Sequence, residues 1–357
     1  MIPISKPYIG EEEKRYVMEV LDSGMIVQGP RTAQLEERFA AACGTNYAIA
    51  CSSGTTALHV ALLAHGVGPG DEVITTPFTF IASVNSALFV GARPVFVDID
   101  PETFNIDPNK IEAAITPRTR AIMPVHLYGY PCDMDAIMDI AKRHNIAIIE
   151  DAAQAIGAEY HGRRAGSFGT GCFSLYATKN VMSAEGGMIT TNDAAFAEQC
   201  KLLRAHGSKR RYYHDILGYN FRMTDLHAAI GLAQLERLDA FTAKRRANAE
   251  YLNANITSVA TPKVKAGYNH VWHQYTIRVD GGRDRDAAIT QLTAAGVGTG
   301  IFYPLPAHHQ AHIRERGFGD VALPISEQIA KEVISLPVHP ALSAADLETI
   351  VREVNKL

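Results

Sequence analysis

The chain has 357 residues, 47% hydrophobic and 20% charged, which is soluble globular composition and enough length for a large core plus a second domain. Its net charge of −4 offers no global basic field for nucleic acid. No stretch approaches the roughly 18 apolar residues that span a bilayer, the start lacks a signal-peptide pattern, and five scattered cysteines without a CxxC read as thiols of a reducing cytoplasm rather than disulfides or zinc ligands.

Taken in chain order, short β-branched runs predict buried strands at 47–50, 72–75, 94–97, 120–123 and 146–149. Helical stretches lie between them at 56–64, 81–90, 109–114 and 133–143. Strands alternating with helices predict an α/β fold, a mostly parallel sheet covered on both faces. Turns at Gly68-Pro69-Gly70-Asp71 and Gly91-Ala92-Arg93-Pro94 reset the chain. Two further strands are expected at 172–176 and 188–191, then one long helix over 224–254 with Leu226, Ile230, Leu235 and Leu238 near the helical period. A smaller C-terminal α/β unit follows: a strand at 272–279, a helix at 285–295, a short strand near Val297, and helices near Glu327 and Ala344. The expected division is a large domain at 1–241 and a small one at 242–357.

The strand at 146–149 ends in Glu150-Asp151. Ligands of open α/β sheets bind beyond the carboxyl ends of the strands, so Asp151 points into a crevice. A carboxylate there needs a cationic partner, and a protonated pyridine nitrogen is one; capping the next helix is the alternative role. Lys179 lies between two buried strands, 28 residues after Asp151. Partial burial makes such an amine nucleophilic, as Schiff-base chemistry requires; a plain loop lysine is the alternative. Ser53, Gly54 and Thr55 follow a strand and open a helix, which suits a phosphate cradle or a simple N-cap, and Ser174 can add a hydroxyl. Phe80, between a strand and a helix, can stack on a planar ring or pack in the core. The run Lys209-Arg210-Arg211-Tyr212-Tyr213-His214 can clamp a diphosphate and stack on a sugar or base, or be a solvated loop. His308, His309 and His312 lack a matching ligand set at recognised spacing, so a substrate-facing or exposed loop is expected and no metal.

Together these segments resemble the DegT/StrS-type sugar aminotransferases, within the pyridoxal-phosphate (PLP) dependent, aspartate-aminotransferase-like fold. The resemblance runs from Pro7 to the C-terminal helix. It rests on Ser53-Gly54-Thr55-Thr56-Ala57-Leu58, Gly68-x-Gly70-Asp71-Glu72-Val73, Pro124-Val125-His126-Leu127-Tyr128-Gly129, Glu150-Asp151-Ala152-Ala153-Gln154, Ser174-x-Tyr176-x-x-Lys179, Glu185-Gly186-Gly187 and Gly218-Tyr219-Asn220-x-Arg222-Met223. Each is weak alone; the order and spacing are specific. The resemblance implies that Lys179 holds PLP covalently and moves the proton, and that Asp151 pairs with the ring nitrogen. It places Gln154 near the ring oxygen, Phe80 on the ring face, and Gly54, Thr55 and Ser174 at the phosphate. Asn220 would reach the phosphate of a neighbouring subunit, making a homodimer with shared sites. Glu185, His308 and the loop from Lys209 to His214 would face a sugar nucleotide.

The segment 213–220 with Glu185-Gly186-Gly187 looks closest to enzymes aminating carbon 4 of a 4-keto-6-deoxy hexose, such as GDP-perosamine synthase. The chain departs from the usual family pattern at Leu175, at Val181-Met182-Ser183-Ala184 and around Gly300-Ile301-Phe302-Tyr303, all near the expected sugar pocket. The expected reaction moves an amino group from L-glutamate to a nucleotide-linked keto-sugar, giving 2-oxoglutarate and an amino-sugar nucleotide. Amination at carbon 3 or of a non-nucleotide cyclic ketone is the alternative. A non-catalytic regulator sensing PLP or a sugar nucleotide is a third reading, but it leaves Lys179 and Asp151 without a purpose.

Overall fold

The computed structural model describes residues 1–357. Two helices open the chain, α1 (Glu11–Ser23) and α2 (Pro30–Cys43). The alternating region follows: β1 (Tyr47–Cys51), α3 (Gly54–Ala64), β2 (Glu72–Thr75), α4 (Ala82–Phe89), β3 (Arg93–Phe96), α5 (Pro108–Ile111), β4 (Thr119–Ile122), α6 (Met134–His144) and β5 (Ala147–Asp151). Two short strands, β6 (Glu159–Tyr160) and β7 (Arg163–Arg164), precede β8 (Thr170–Ser174), β9 (Gly187–Thr191) and α7 (Ala194–Arg204). Then come α8 (Asp225–Leu235), α9 (Leu238–Asn255), β10 (Tyr268–Asn269), β11 (Tyr275–Arg278), α10 (Arg285–Ala294), α11 (Ala311–Arg314), α12 (Pro324–Glu332), β12 (Val333–Leu336) and α13 (Ala344–Val354).

The main sheet has seven strands in the order β1-β9-β8-β5-β4-β2-β3. All its strands run one way except β9, which pairs antiparallel with both β1 and β8. The pleat sends alternate side chains to opposite faces. Ile149 of β5 and Cys172 of β8 pack with Leu58 and Leu62 of α3 and Leu203 of α7. Phe173, next along β8, packs on the other face with Leu35 and Phe39 of α2 and Leu232 of α8. This alternation decides where the ends of β5 and β8 aim their polar residues.

A second core joins Ala249 and Leu252 of α9 to Tyr275, Ile277, Leu336 and Ile350 of the C-terminal elements. Its small sheet pairs β11 with β12. The expected boundary at 241 cuts α9, whose Leu238 packs in the large core and whose Ala249 and Leu252 pack in the second. Ile2 also packs against this second core and bridges Val297, so the first residues join the C-terminal unit rather than the large one. The strand expected near Val297 is only that single bridge.

The long helix expected over 224–254 is two helices, broken at Glu236 and Arg237. Neither residue breaks helices by propensity. The break is tertiary: Arg237 pairs with Glu12 and, at 3.5 Å, with Glu13, while Leu238 turns into the core. No helix is long and apolar enough to cross a membrane.

Candidate active site

Asp151 ends β5 on the face that carries Ile149, and so reaches α4. Its Oδ2 accepts from the Ser83 hydroxyl at 2.6 Å, and its Oδ1 from the Ala153 N–H at 3.2 Å. Asp151 is 5% exposed. Burial raises its carboxyl above the usual range, opposed by the Ser83 hydroxyl, the Ala153 N–H and the charge of Lys179. No helix starts after Asp151, so a helix cap is not its role. Ser83 has one proton to give, and the shortest contact takes it. The Thr79 hydroxyl, 2.8 Å away, then donates to Ser83 Oγ.

Glu150, one residue earlier, faces the opposite way and is fully buried. It accepts the backbone N–H groups of Gly166, Phe168 and Gly169 at 2.7, 2.8 and 2.9 Å. His126 completes the set, with Nε2 at 3.0 Å from Glu150 Oε2. His126 Nδ1 accepts the Cys132 N–H at 3.0 Å, so the imidazole proton sits on Nε2 and points at Glu150. Glu150 thus ties loops together, and Asp151 is left for chemistry.

Lys179 follows β8 in a tight turn, its N–H donating to Tyr176 O at 2.9 Å. The residue is half-buried. Burial lowers its amine to about 8, with the charge of Asp151 holding it up. Roughly a fifth of this amine is neutral and nucleophilic near physiological pH, against about a thousandth of a solvated lysine. Beside it, the Asn180 amide donates to Val271 O at 2.8 Å.

Ser53 caps α3: its Oγ accepts the Thr56 N–H at 3.1 Å and its own N–H donates to Thr56 Oγ1 at 3.0 Å. The N–H groups of Gly54 and Thr55 have no acceptor in the chain. Ser174 ends β8 on the same face as Cys172 and so meets this terminus. A Cβ on Gly54 would lie 2.8 Å from Ser174 Cβ, and one on Gly187 would lie 2.1 Å from Ser53 O. Only glycines let these backbones close up. Two free N–H groups and small hydroxyls at a helix N-terminus form a cradle suited to a phosphate. With Lys179 and Asp151, these donors fit a pyridine ring carrying an aldehyde and a phosphate.

Gln154 Oε1 accepts the Tyr128 N–H at 2.7 Å, and its Nε2 donates to the Tyr303 hydroxyl at 3.1 Å. The Phe80 ring is 54% exposed, and its centroid lies 6.0 Å from that of Tyr303. Burial and the nearby Asp151 raise the Tyr303 phenol well above its usual range, so it stays a hydrogen-bond donor. Ser83 joins this constellation from outside every sequence motif, while Tyr303, in the segment expected near the sugar pocket, meets Gln154 only through the fold.

Four groups of expected residues stand apart from this constellation within the chain. Glu185, Lys209, Arg210, Arg211, His214 and Asn220 are exposed. The loop carrying most of them is pinned at its base, where Tyr219 N donates to Leu203 O at 2.7 Å and His206 N to Tyr219 O at 2.8 Å. Arg210 lies 3.6 Å over the Tyr213 ring, and His214 Nδ1 lies 2.8 Å from His206 O. Tyr212 and Leu217 are 78% and 80% exposed. Asn220 Oδ1 accepts from Arg222 Nε at 3.1 Å. His308 differs from expectation: it is fully buried, 3.3 Å from Glu327 Oε1 and packed near Phe96, so it reaches no open cleft. His308, His309 and Glu327 bring ligand atoms within 4.8 Å of one another, while His312 turns to Asn85 Oδ1 at 2.8 Å. Glu327 Oε1 there also accepts the Leu323 N–H at 3.0 Å, an ordinary hydrogen-bonded group.

The model of the DegT/DnrJ/EryC1/StrS aminotransferase family matches residues 7–355. A "pleiotropic regulatory protein" of Geobacillus stearothermophilus is 45% identical over 99% of this chain and 97% of its own. GDP-perosamine synthase of Caulobacter vibrioides is 43% identical over 100% of this chain and 98% of its own. Among solved structures, S. venezuelae DesV, determined with a ketimine intermediate, superposes with a TM-score of 0.93 at 39% identity, covering 97% of this chain and 94% of that one. Spr1654 from Streptococcus pneumoniae, in its PLP form, gives 0.95 at 30% identity, covering 99% and 98%.

Proposed function

The chain belongs to the DegT/DnrJ/EryC1/StrS family of PLP-dependent sugar aminotransferases, and we propose that it transfers an amino group from L-glutamate to a nucleotide-linked 4-keto-6-deoxy hexose. The observation that carries the reading is a half-buried Lys179, lowered to about 8, facing a buried Asp151 whose nearest hydrogen-bond donors are neutral. Likeness to GDP-perosamine synthase over the full chain supports the carbon-4 acceptor.

Bound PLP supplies the electron sink that makes the α-proton of an amino acid acidic. Lys179 would hold the group covalently, Asp151 would face its ring nitrogen, and the Gly54 and Thr55 N–H groups with Ser53 and Ser174 would hold its phosphate. Gln154 and Phe80 would lie against the ring. Once released, the Lys179 amine sits close to neutral pH in acidity, so it can take the donor's α-proton and give it to the acceptor carbon. Asp151 stays ionised against a cation and keeps that cation in place. The exposed Lys209, Arg210 and Arg211 offer charge to a diphosphate, with His214 and Glu185 at the sugar.

Asn220 and the bare Tyr212 and Leu217 are best accounted for by a second copy of the chain, whose cradle Asn220 would complete. The proposed protein is thus a homodimer with shared sites, and its five buried free thiols suit a cytoplasmic setting. The regulatory name of the Geobacillus relative gives no reason to prefer a sensor here, because a sensor has no need of an activated lysine. The experiment is an absorbance spectrum of the PLP-loaded protein before and after L-glutamate, then a screen of keto-sugar nucleotides. A visible band that bleaches with L-glutamate and returns with one acceptor supports the reading. A loaded protein indifferent to L-glutamate overturns the donor.

A further inference from the structure

Behind the Lys179 turn lies a narrow cleft between the N-terminal arm and α9, about 30 Å³ in volume, room for one small group, and open to solvent. Its polar lining includes Lys6, Lys179, Arg245, Asn180 and Gln234, and no carboxylate. From this lining we infer that Lys6 and Arg245 form a carboxylate-binding subsite that takes the acid group of the amino donor. The inference rests on reading Lys179 as the amine-transfer centre.

Arg245 carries the argument. It projects from α9 and is 6% exposed. Its Nη1 donates to Trp272 O at 3.0 Å and to His273 O at 3.5 Å, while its Nε has no acceptor. No Asp or Glu pairs with it, whereas Arg204, the one other arginine as hidden and likewise without an acceptor for its Nε, is paired with Glu36. A guanidinium out of water without a counter-ion is costly, so buried cations are ordinarily paired. Burial lowers Arg245 to about 10, which leaves it charged at neutral pH. No carboxylate contributes to its charge environment, and burial alone moves it.

Lys6 stands exposed on the arm across the cleft, so a second cation meets an entering anion from the solvent side. Once Lys179 is committed to the cofactor, Lys6 and Arg245 remain as the cations of this cleft. Arg245 Nη2, the terminal guanidinium nitrogen not tied to a backbone carbonyl, and the Lys6 ammonium leave two cationic donors for a carboxylate. The cleft adjoins the residue that must reach the donor's α-carbon, which favours the donor's acid group over the diphosphate of a sugar nucleotide. A small oxyanion is the shared chemistry, so the test separates the two sources.

The PLP-loaded protein is titrated calorimetrically with succinate, a dicarboxylate with no amine to give, and separately with inorganic phosphate. Succinate should bind, at least tenfold more weakly in Lys6→Ala and in Arg245→Met, with the visible band of the cofactor retained; Arg245→Lys should keep part of the affinity. Lys6 is exposed, so Lys6→Ala decides the matter if Arg245→Met does not fold. Absence of succinate binding to the wild type overturns the subsite, as does equal affinity in the variants. Phosphate affinity that falls in them while succinate affinity does not reassigns the cleft to phosphate and overturns the carboxylate. A wild type that binds succinate through Lys6 but is not bleached by L-glutamate leaves the subsite standing and removes the donor.

Discussion

Removing the Ser83 hydroxyl should shift the acid limb of this enzyme. Ser83 is fully buried and gives its proton to Asp151 at 2.6 Å. A hydrogen bond to a charged group is worth about 1.5–3 kcal/mol, and each pH unit corresponds to about 1.4 kcal/mol. In Ser83→Ala the Asp151 carboxylate loses that support, and the acid limb should move up by about one to two pH units. The sign follows from what Asp151 must do. In the proposed role its partner would be the cofactor's ring nitrogen, which only an ionised carboxylate would keep protonated. As pH falls through the Asp151 titration the partner is lost, and in the variant this happens at a higher pH. Alanine nearly conserves the volume, so the fold should survive. The assay is the rate of bleaching by L-glutamate across pH, beside thermal melting of the same samples. An acid limb that stays in place while melting is unchanged would refute the role given to Ser83.

Four further outcomes are expected. Lys179→Met abolishes the visible PLP band yet stabilises the cofactor-free chain at neutral pH by about 3 kcal/mol, because the folded amine is lowered to about 8 and its charged form is disfavoured. Wild-type stability then rises with pH between that value and the unfolded lysine value, and melting curves should show the gap to the variant closing there. Gly54→Ala forces a Cβ to 2.8 Å from Ser174 Cβ and should weaken PLP binding tenfold or more in a fluorescence titration, at a cost of about 1–3 kcal/mol in overpacking. Glu150→Gln presents an amide donor to backbone N–H groups and should cost about 3–5 kcal/mol in chemical unfolding, while any protein that stays folded keeps its visible band. Mixing inactive Lys179→Ala with inactive Asn220→Ala subunits should restore activity, since the mixed dimer holds one intact site; no recovery would place Asn220 outside the partner's cradle.

The parts of the site legible in the sequence are those fixed by local rules. Asp151 and Ser174 end buried strands, and Ser53-Gly54-Thr55 joins a strand to a helix, so the alternating pattern places them without tertiary information. Ser83 and Tyr303 meet their partners across 68 and 149 residues through packing alone, and no spacing announces them. His308 sits in a run that reads as polar, but α12 closes over it with Glu327. The break between α8 and α9 was invisible because Glu236 and Arg237 favour helix, and an ion pair to α1 sets the turn instead. Helices α1, α2 and α7 carry no functional motif, and α1, with Val20 and Glu13 buried, packs on α8.

Glu150 and Asp151 are chemically near-identical neighbours that the pleat of β5 sends in opposite directions. The strand works as a partition wall. Loop sequences on the Glu150 side can drift so long as three N–H groups and one imidazole still converge, and the acidity of Asp151 is not dragged along. Substitutions on the α4 side retune Asp151 without loosening the loops behind it. Inserting or deleting a single residue in β5 would exchange the two carboxylates and disable both sides at once, so this strand should tolerate substitution far better than any change in its length.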